Sequence, residues 1–128
     1  MFKISPHTPA HLLIDDTPYF ITAATYRKQY LLSSKVIKES LLELMEGYFQ
    51  KYKWKLHHWV ILDNHYHILG KSRKGEDLPS IIKGIHRASA IVIREKTGVD
   101  PPIWWNYWDY CPRSHEDYMV RLNYLLNC

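Results

Sequence analysis

Hydrophobic and polar positions along the chain follow two rhythms, one of about two residues and one of about 3.6, the side-chain periods of strand and helix. Tyr19–Tyr26 interleaves β-branched and aromatic residues with polar Thr22 and Thr25 and predicts a strand. Val36, Ile37, Leu41, Leu44, Met45, Tyr48 and Phe49 recur at helical spacing behind Ser33 or Ser34, either of which can cap a helix running to about Tyr52. Trp54–Leu62 and His65–Lys71 predict two strands joined as a hairpin at Asp63-Asn64. After a basic, Gly-containing loop, Asp77 and Pro79 open a second helix that stops at Gly98. Its expected buried stripe is Leu78, Ile81, Ile82, Ile85, Ala88 or Ser89, and Val92, with Lys83, Arg87 and Arg94 outside. Asp100-Pro101-Pro102 is a break, Ile103–Tyr110 reads as a fourth strand, and Ser114-x-x-Asp117 has the form of a capping box for a last helix from His115. Ser5–Asp16, rich in proline and histidine, is expected to be irregular or a short edge ribbon.

The element order is strand, helix, strand, strand, helix, strand, helix. Its first six elements are the split βαβ pattern of a ferredoxin-like fold. The expected class is therefore α+β: a βαββαβ antiparallel sheet with two helices on one face, plus a C-terminal helix. At 128 residues the chain reads as one domain, 1–128, long enough for a core without staples.

Composition narrows the class further. Cys111 and Cys128 are too few for a disulfide framework, so a reducing cytoplasm is the expected compartment. Met1–His7 has no apolar signal core, no stretch is long enough to span a bilayer, and no membrane partner is expected. A net charge of +4 permits a phosphate-rich partner, and ten tyrosines with five tryptophans suit stacking on bases.

The chemistry concentrates at Asp63-Asn64-His65-Tyr66-His67. Strand alternation points His65 and His67 the same way and Tyr66 the other, so the two imidazoles could share one metal ion or be ordinary half-buried strand residues. Asp63 and Asn64 are candidates for a further ligand or a supporting partner, and are also what a tight hairpin requires. On the last helix, at about 100° per residue, Tyr118, Met119, Leu122, Leu125 and Leu126 form the expected core stripe. Tyr124 falls on the other side with Arg121, either a plain surface residue or a positioned phenol. A phenol is a poor nucleophile at its free pKa of about 10. It can attack a phosphodiester whose phosphorus a divalent cation polarises. Lys71, Arg73, Lys74, Lys83, Arg87 and Arg94, with the tryptophans, would suit a single nucleic-acid strand, although a charged helix face is usually solvated.

At this point the chain resembles the REP-associated tyrosine transposases, within the single-tyrosine HUH transposases. The resemblance rests on Pro9–Tyr26 with its Phe-Ile-Thr, on Trp59–His67, on Asp77-Leu78-Pro79, on Trp105-Asn106-Tyr107-Trp108-Asp109 and on Arg121-Leu122-Asn123-Tyr124-Leu125. It implies that His65 and His67 are metal ligands, with Mg²⁺ or Mn²⁺ as cofactor, and that Tyr124 is the nucleophile of a single-stranded DNA endonuclease and strand transferase. The product would be a 5′-phosphotyrosine and a free 3′-hydroxyl. The implied substrate is hairpin-forming DNA, the basic residues set against it are Arg73, Lys74, Lys83, Arg87 and Arg121, and a homodimer is among the implied assemblies.

One departure stands out. The family's tyrosine helix usually carries Asn or Gln four residues after the tyrosine, commonly followed by Pro, and that amide completes the metal site. Here that position is Cys128, with Asn127 one residue earlier. The expectations that follow are a truncated chain, substitution by Asn127 or water, or a remnant of weakened activity. The rival readings are a hairpin-DNA- or RNA-holding module of the same fold that does not cut and, more distantly, a Zn²⁺ hydrolase built on the H-x-H.

Overall fold

The computed structural model describes residues 14–127, so the irregular stretch expected over Ser5–Asp16 is described only from Ile14, and Cys128 lies outside the described residues. The order is β1 (Pro18–Thr25), α1 (Lys35–Lys51), β2 (Lys55–Ile61), β3 (His65–Lys71), α2 (Leu78–Thr97), β4 (Trp104–Tyr110) and α3 (His115–Leu126). Short 3₁₀ turns at Tyr26–Lys28 and Gly75–Asp77 follow β1 and precede α2. The strands lie in the order β2-β3-β1-β4 with every neighbour antiparallel. This is the expected ferredoxin-like α+β arrangement.

Local chemistry explains the boundaries. Ser34 Oγ accepts the Ile37 N–H at 3.2 Å and caps α1. Ser114 Oγ accepts the Asp117 N–H at 3.1 Å and caps α3. Each such cap stabilises its helix by about 1 kcal/mol. Gly98 ends α2 in the left-handed region, φ 72°, its N–H donating to the Arg94 carbonyl. Asp77 stands at the start of α2 without making a side-chain cap, because the preceding 3₁₀ turn leaves its backbone already helical.

β1 alternates strictly between half-buried and buried residues. Tyr19, Ile21, Ala23 and Thr25 face α1 and α2 and join Leu41, Met45, Phe49, Ile81, Ile82 and Ile85 in the core. Phe20, Thr22 and Ala24 face the other way. Gly84 lets the two helices close up, since a Cβ there would lie inside the Tyr48 ring of α1. The α2 stripe is completed by Ser89 and Ile93; Val92 is only half-buried, one position off the line that meets the sheet.

α3 lies across the opposite face. Tyr118 meets Phe20 with ring centroids 5.8 Å apart, and Leu125 is buried. The stripe expected from periodicity is only partly correct. Met119 and Leu126 are 38% and 56% exposed. A helix resting on a sheet face with no further layer above it among the described residues buries a narrower line than a core helix does.

Candidate active site

The β2–β3 hairpin delivers the histidines. The Leu62 N–H donates to the His65 carbonyl at 2.8 Å and closes the turn. Tyr66 then points into the core, fully buried, while His65 and His67 stand on the face that carries α3. Their rings are 5.0 Å apart between centroids and nearly perpendicular, at 88°.

Each imidazole is held through Nδ1. His65 Nδ1–H donates to Asn64 Oδ1 at 2.7 Å, and His67 Nδ1 shares a hydrogen bond of 2.9 Å with Thr22 Oγ1 on β1. In both rings Nε2 is the nitrogen left for another partner, the arrangement in which an outer hydrogen bond orients a metal-binding imidazole. Burial lowers the pKa of His65, with Lys28 adding to it; burial and then His65 lower that of His67. Both rings are therefore neutral near pH 7, the form that ligates a cation. Among the described residues no group of three or more His, Cys, Asp or Glu converges on one point.

The structure separates the two hairpin residues that the sequence left together. Asn64 orients His65, and its Nδ2 also donates to the Lys28 carbonyl at 3.3 Å. Asp63 instead forms a 2.7 Å ion pair with Lys38 of α1. A small cavity of about 280 Å³ lies beside His65, lined by Thr22, Ala24, Lys28, Asn64 and His65. Thr22 and Lys28 were not picked out by sequence reasoning. The available signal was the strand parity of Thr22, which puts it on the opposite face from Ile21 and Ala23, but the pairing of β1 with β3 had to be known to set it against His67.

Tyr124 comes to the same face. Its ring lies 6.3 Å from that of His67, at 87°, and the residue is 70% exposed. The foot of α3 is tied to β4 by a short hydrogen bond from Tyr110 Oη to Asp117 Oδ2, which also accepts the Arg113 N–H at 3.0 Å. The Arg121 guanidinium sits 4.0 Å from the Tyr110 ring centroid. The bond to Tyr110 and the cations around it hold the Asp117 carboxyl below its usual range, and the same bond raises the Tyr110 phenol. Asn127, at the end of α3, uses Nδ2 to donate to the Asn123 carbonyl at 2.7 Å, so its amide serves the helix end.

The five basic residues set against DNA do not form one patch. Arg121 is on the histidine face, Arg73 and Lys74 are in the loop after β3, and Lys83 and Arg87 are on the outer side of α2, across the sheet from the histidines. No described helix is long and apolar enough to cross a membrane.

Comparison with solved structures places this architecture. The structure of a REP-associated tyrosine transposase bound to a REP hairpin superposes with a TM-score of 0.71 at 20% identity, covering 95% of this chain and 70% of that one. A protein of Deinococcus radiodurans R1 described as a candidate transposase gives 0.63 at 17% identity, covering 99% and 97%. At those identities the likeness establishes the fold. No curated protein matches the sequence. The family model of IS200-like transposases matches residues 17–109, and the chain belongs to that family. The match includes His65 and His67 and ends before α3, where Tyr124 resides.

Proposed function

We propose that this IS200-like transposase is a divalent-metal-dependent single-stranded DNA endonuclease and strand transferase that works through a tyrosine of its last helix. The observation that carries the reading is the juxtaposition of Tyr124 with the His65/His67 pair within one chain, His67 and Tyr124 being 6.3 Å apart between ring centroids. Membership of a transposase family supplies the reaction class, and the hairpin held by the fold-similar REP-associated protein supports hairpin DNA as substrate.

His65 and His67 would hold the cation, Mg²⁺ or Mn²⁺, through Nε2, with phosphate oxygens and water completing a hard-metal shell. Bound there, it would supply Lewis-acid polarisation of the scissile phosphate. The chain's own residues do the rest. Asn64 and Thr22 fix the two rings. The Tyr124 oxygen gives up its proton and forms a bond to phosphorus as the bond to the 3′-oxygen breaks, and that oxygen takes up a proton. A 5′-phosphotyrosine and a 3′-hydroxyl result, and attack by a 3′-hydroxyl on the ester rejoins strands without nucleotide energy. Two neutral imidazoles fit the role of cation donors, and anchoring His65 from the hairpin turn and His67 from β1 gives them a rigid platform.

The test is a covalent-adduct assay with Mn²⁺ and single-stranded hairpin DNA. Wild-type protein should give a DNA–protein band that Tyr124→Phe lacks while retaining DNA binding. An undiminished band in that variant would overturn the assignment of Tyr124, and DNA binding without any adduct in the wild type would leave a hairpin-holding module.

A further inference from the structure

The 3₁₀ turn after β1 and the irregular start of β4 build a second concavity beside the histidines. A cavity of about 560 Å³ is lined by Tyr26, Arg27, Lys28, Trp105 and Trp108 together with Ala24 and Thr25. It shares Ala24 and Lys28 with the smaller cavity at His65, so the two lie side by side. The volume falls in the range of small-molecule sites, about 300–1,000 Å³.

Three features mark it as built. The β1–β4 register pairs Ala23 with Tyr107 and Thr25 with Trp104, so Trp105 and Asn106 both stand opposite Ala24. This bulge breaks the alternation of β4 and frees Trp105 from the pleat. The turn carrying the cations is held in place. Arg27 and Lys28 both take φ 55°, a left-handed conformation unusual outside glycine. Thr25 Oγ1 donates to the Gln29 carbonyl at 2.7 Å, and Asn64 Nδ2 ties the Lys28 carbonyl to the His65 loop. Finally, Trp105 and Trp108 are 54% and 37% exposed. Two adjacent exposed indoles beside two cations are unusual on a protein surface and mark a binding face.

We infer that this cleft is a subsite for one unpaired nucleotide of the DNA strand whose phosphate lies at His65. Its base stacks on Trp105 or Trp108, and its phosphate pairs with Arg27 and Lys28. The charge and the aromatic faces complement those two parts of a nucleotide, and sequence-tolerant stacking suits a strand that must be held open rather than read. The subsite rests on the proposed DNA-cleaving function and extends it to how the strand is gripped.

The experiment uses full-length Tyr124→Phe protein, so that the DNA stays uncut, and a hairpin with single-stranded arms carrying 2-aminopurine at one arm position at a time. Binding is read by anisotropy and stacking by 2-aminopurine quenching. Quenching should peak at one or two arm positions. Trp105→Ala or Trp108→Ala should abolish it and weaken binding by roughly five-fold to a hundred-fold. Both side chains are largely outside the core, and circular dichroism checks the fold. Arg27→Gln and Lys28→Gln, surface changes, should each lower the salt slope of binding by about 0.7. Binding and quenching that are unchanged in all four variants would overturn the subsite and leave the DNA function standing. Absence of any DNA binding by the parent protein would overturn both.

Discussion

Two histidine–tyrosine pairs lie on opposite faces of β3, and their contrast explains why only one of them is a candidate for chemistry. Behind the sheet, Tyr66 Oη and His86 Nε2 share a hydrogen bond of 2.8 Å. The His86 ring stacks on Trp104 at 4.3 Å and 6°, and the Trp104 indole N–H donates to Ser89 Oγ. Burial raises the Tyr66 phenol far above its ordinary pKa and pushes His86 down to about 3. Both groups are thereby kept neutral, Tyr66 fully buried and His86 half-buried. In front of the sheet, His67 and Tyr124 approach to 6.3 Å without closing on each other, and Tyr124 is 70% exposed. The same two residue types are a structural strut where they hydrogen-bond each other behind the sheet, and a candidate site where they stand on a solvent-facing surface.

The largest effects expected are those that exchange the two pairs. Tyr66→Phe should keep adduct formation and lose about 1 kcal/mol of stability, whereas His65→Ala or His67→Ala should cut adduct formation by roughly three orders of magnitude or more. EDTA should do the same to the wild type. Adduct assays run beside thermal melts check this, and cleavage that persists in EDTA would remove the metal from the mechanism.

His86→Ala should act in the opposite sense. It deletes the ring stacked on Trp104 and leaves the Tyr66 hydroxyl without its partner, a loss of roughly 2–4 kcal/mol. Adduct formation measured well below the melting temperature should survive. A variant that melts normally yet fails to form adduct would show that the rear pair also works in catalysis.

The pH dependence sharpens the contrast further. His86 is neutral in the folded protein down to about pH 3, while the unfolded chain takes up a proton near 6.5. The contribution is fully present above about 6.5 and is lost progressively as pH falls toward 3, so stability declines steadily across that window. Denaturant melts across that window should show the slope, and His86→Gln should make it shallower, the remainder coming from His65 and His67.

The smallest expected effect is at the foot of α3. Ser114→Ala removes the cap and should cost about 1 kcal/mol, seen as faster amide exchange in the first turn of the helix. Any fall in adduct yield larger than the fall in stability would show that Tyr124 depends on how firmly α3 is anchored.

Much of the architecture was legible in the order of residues. Period-two alternation at Tyr19–Thr25, helical spacing from Val36 to Phe49 and from Leu78, and the caps at Ser34 and Ser114 are local properties, so they predict elements close to those observed. The parity of His65, Tyr66 and His67 is equally local, and it assigns the two faces of β3 without any knowledge of what covers them. Periodicity misjudged Met119 and Leu126 because a single helix on an open face is not a core helix.

The sequence by itself determined which residues could act: a same-face histidine pair and a tyrosine on a capped terminal helix. Only the tertiary structure decided what they meet. Thr22 reaches His67 because β1 pairs with β3 across forty-five residues of chain, and Asn64 rather than Asp63 serves His65 because Lys38 of α1 takes the carboxylate. Trp105 turns outward because of a bulge that appears only when β4 is registered against β1. Tyr124 stands by His67 because α3 is laid back across the sheet and tied down at Tyr110. Non-local pairing, register and the docking of one helix are set by the whole packed molecule, and no window of sequence contains them.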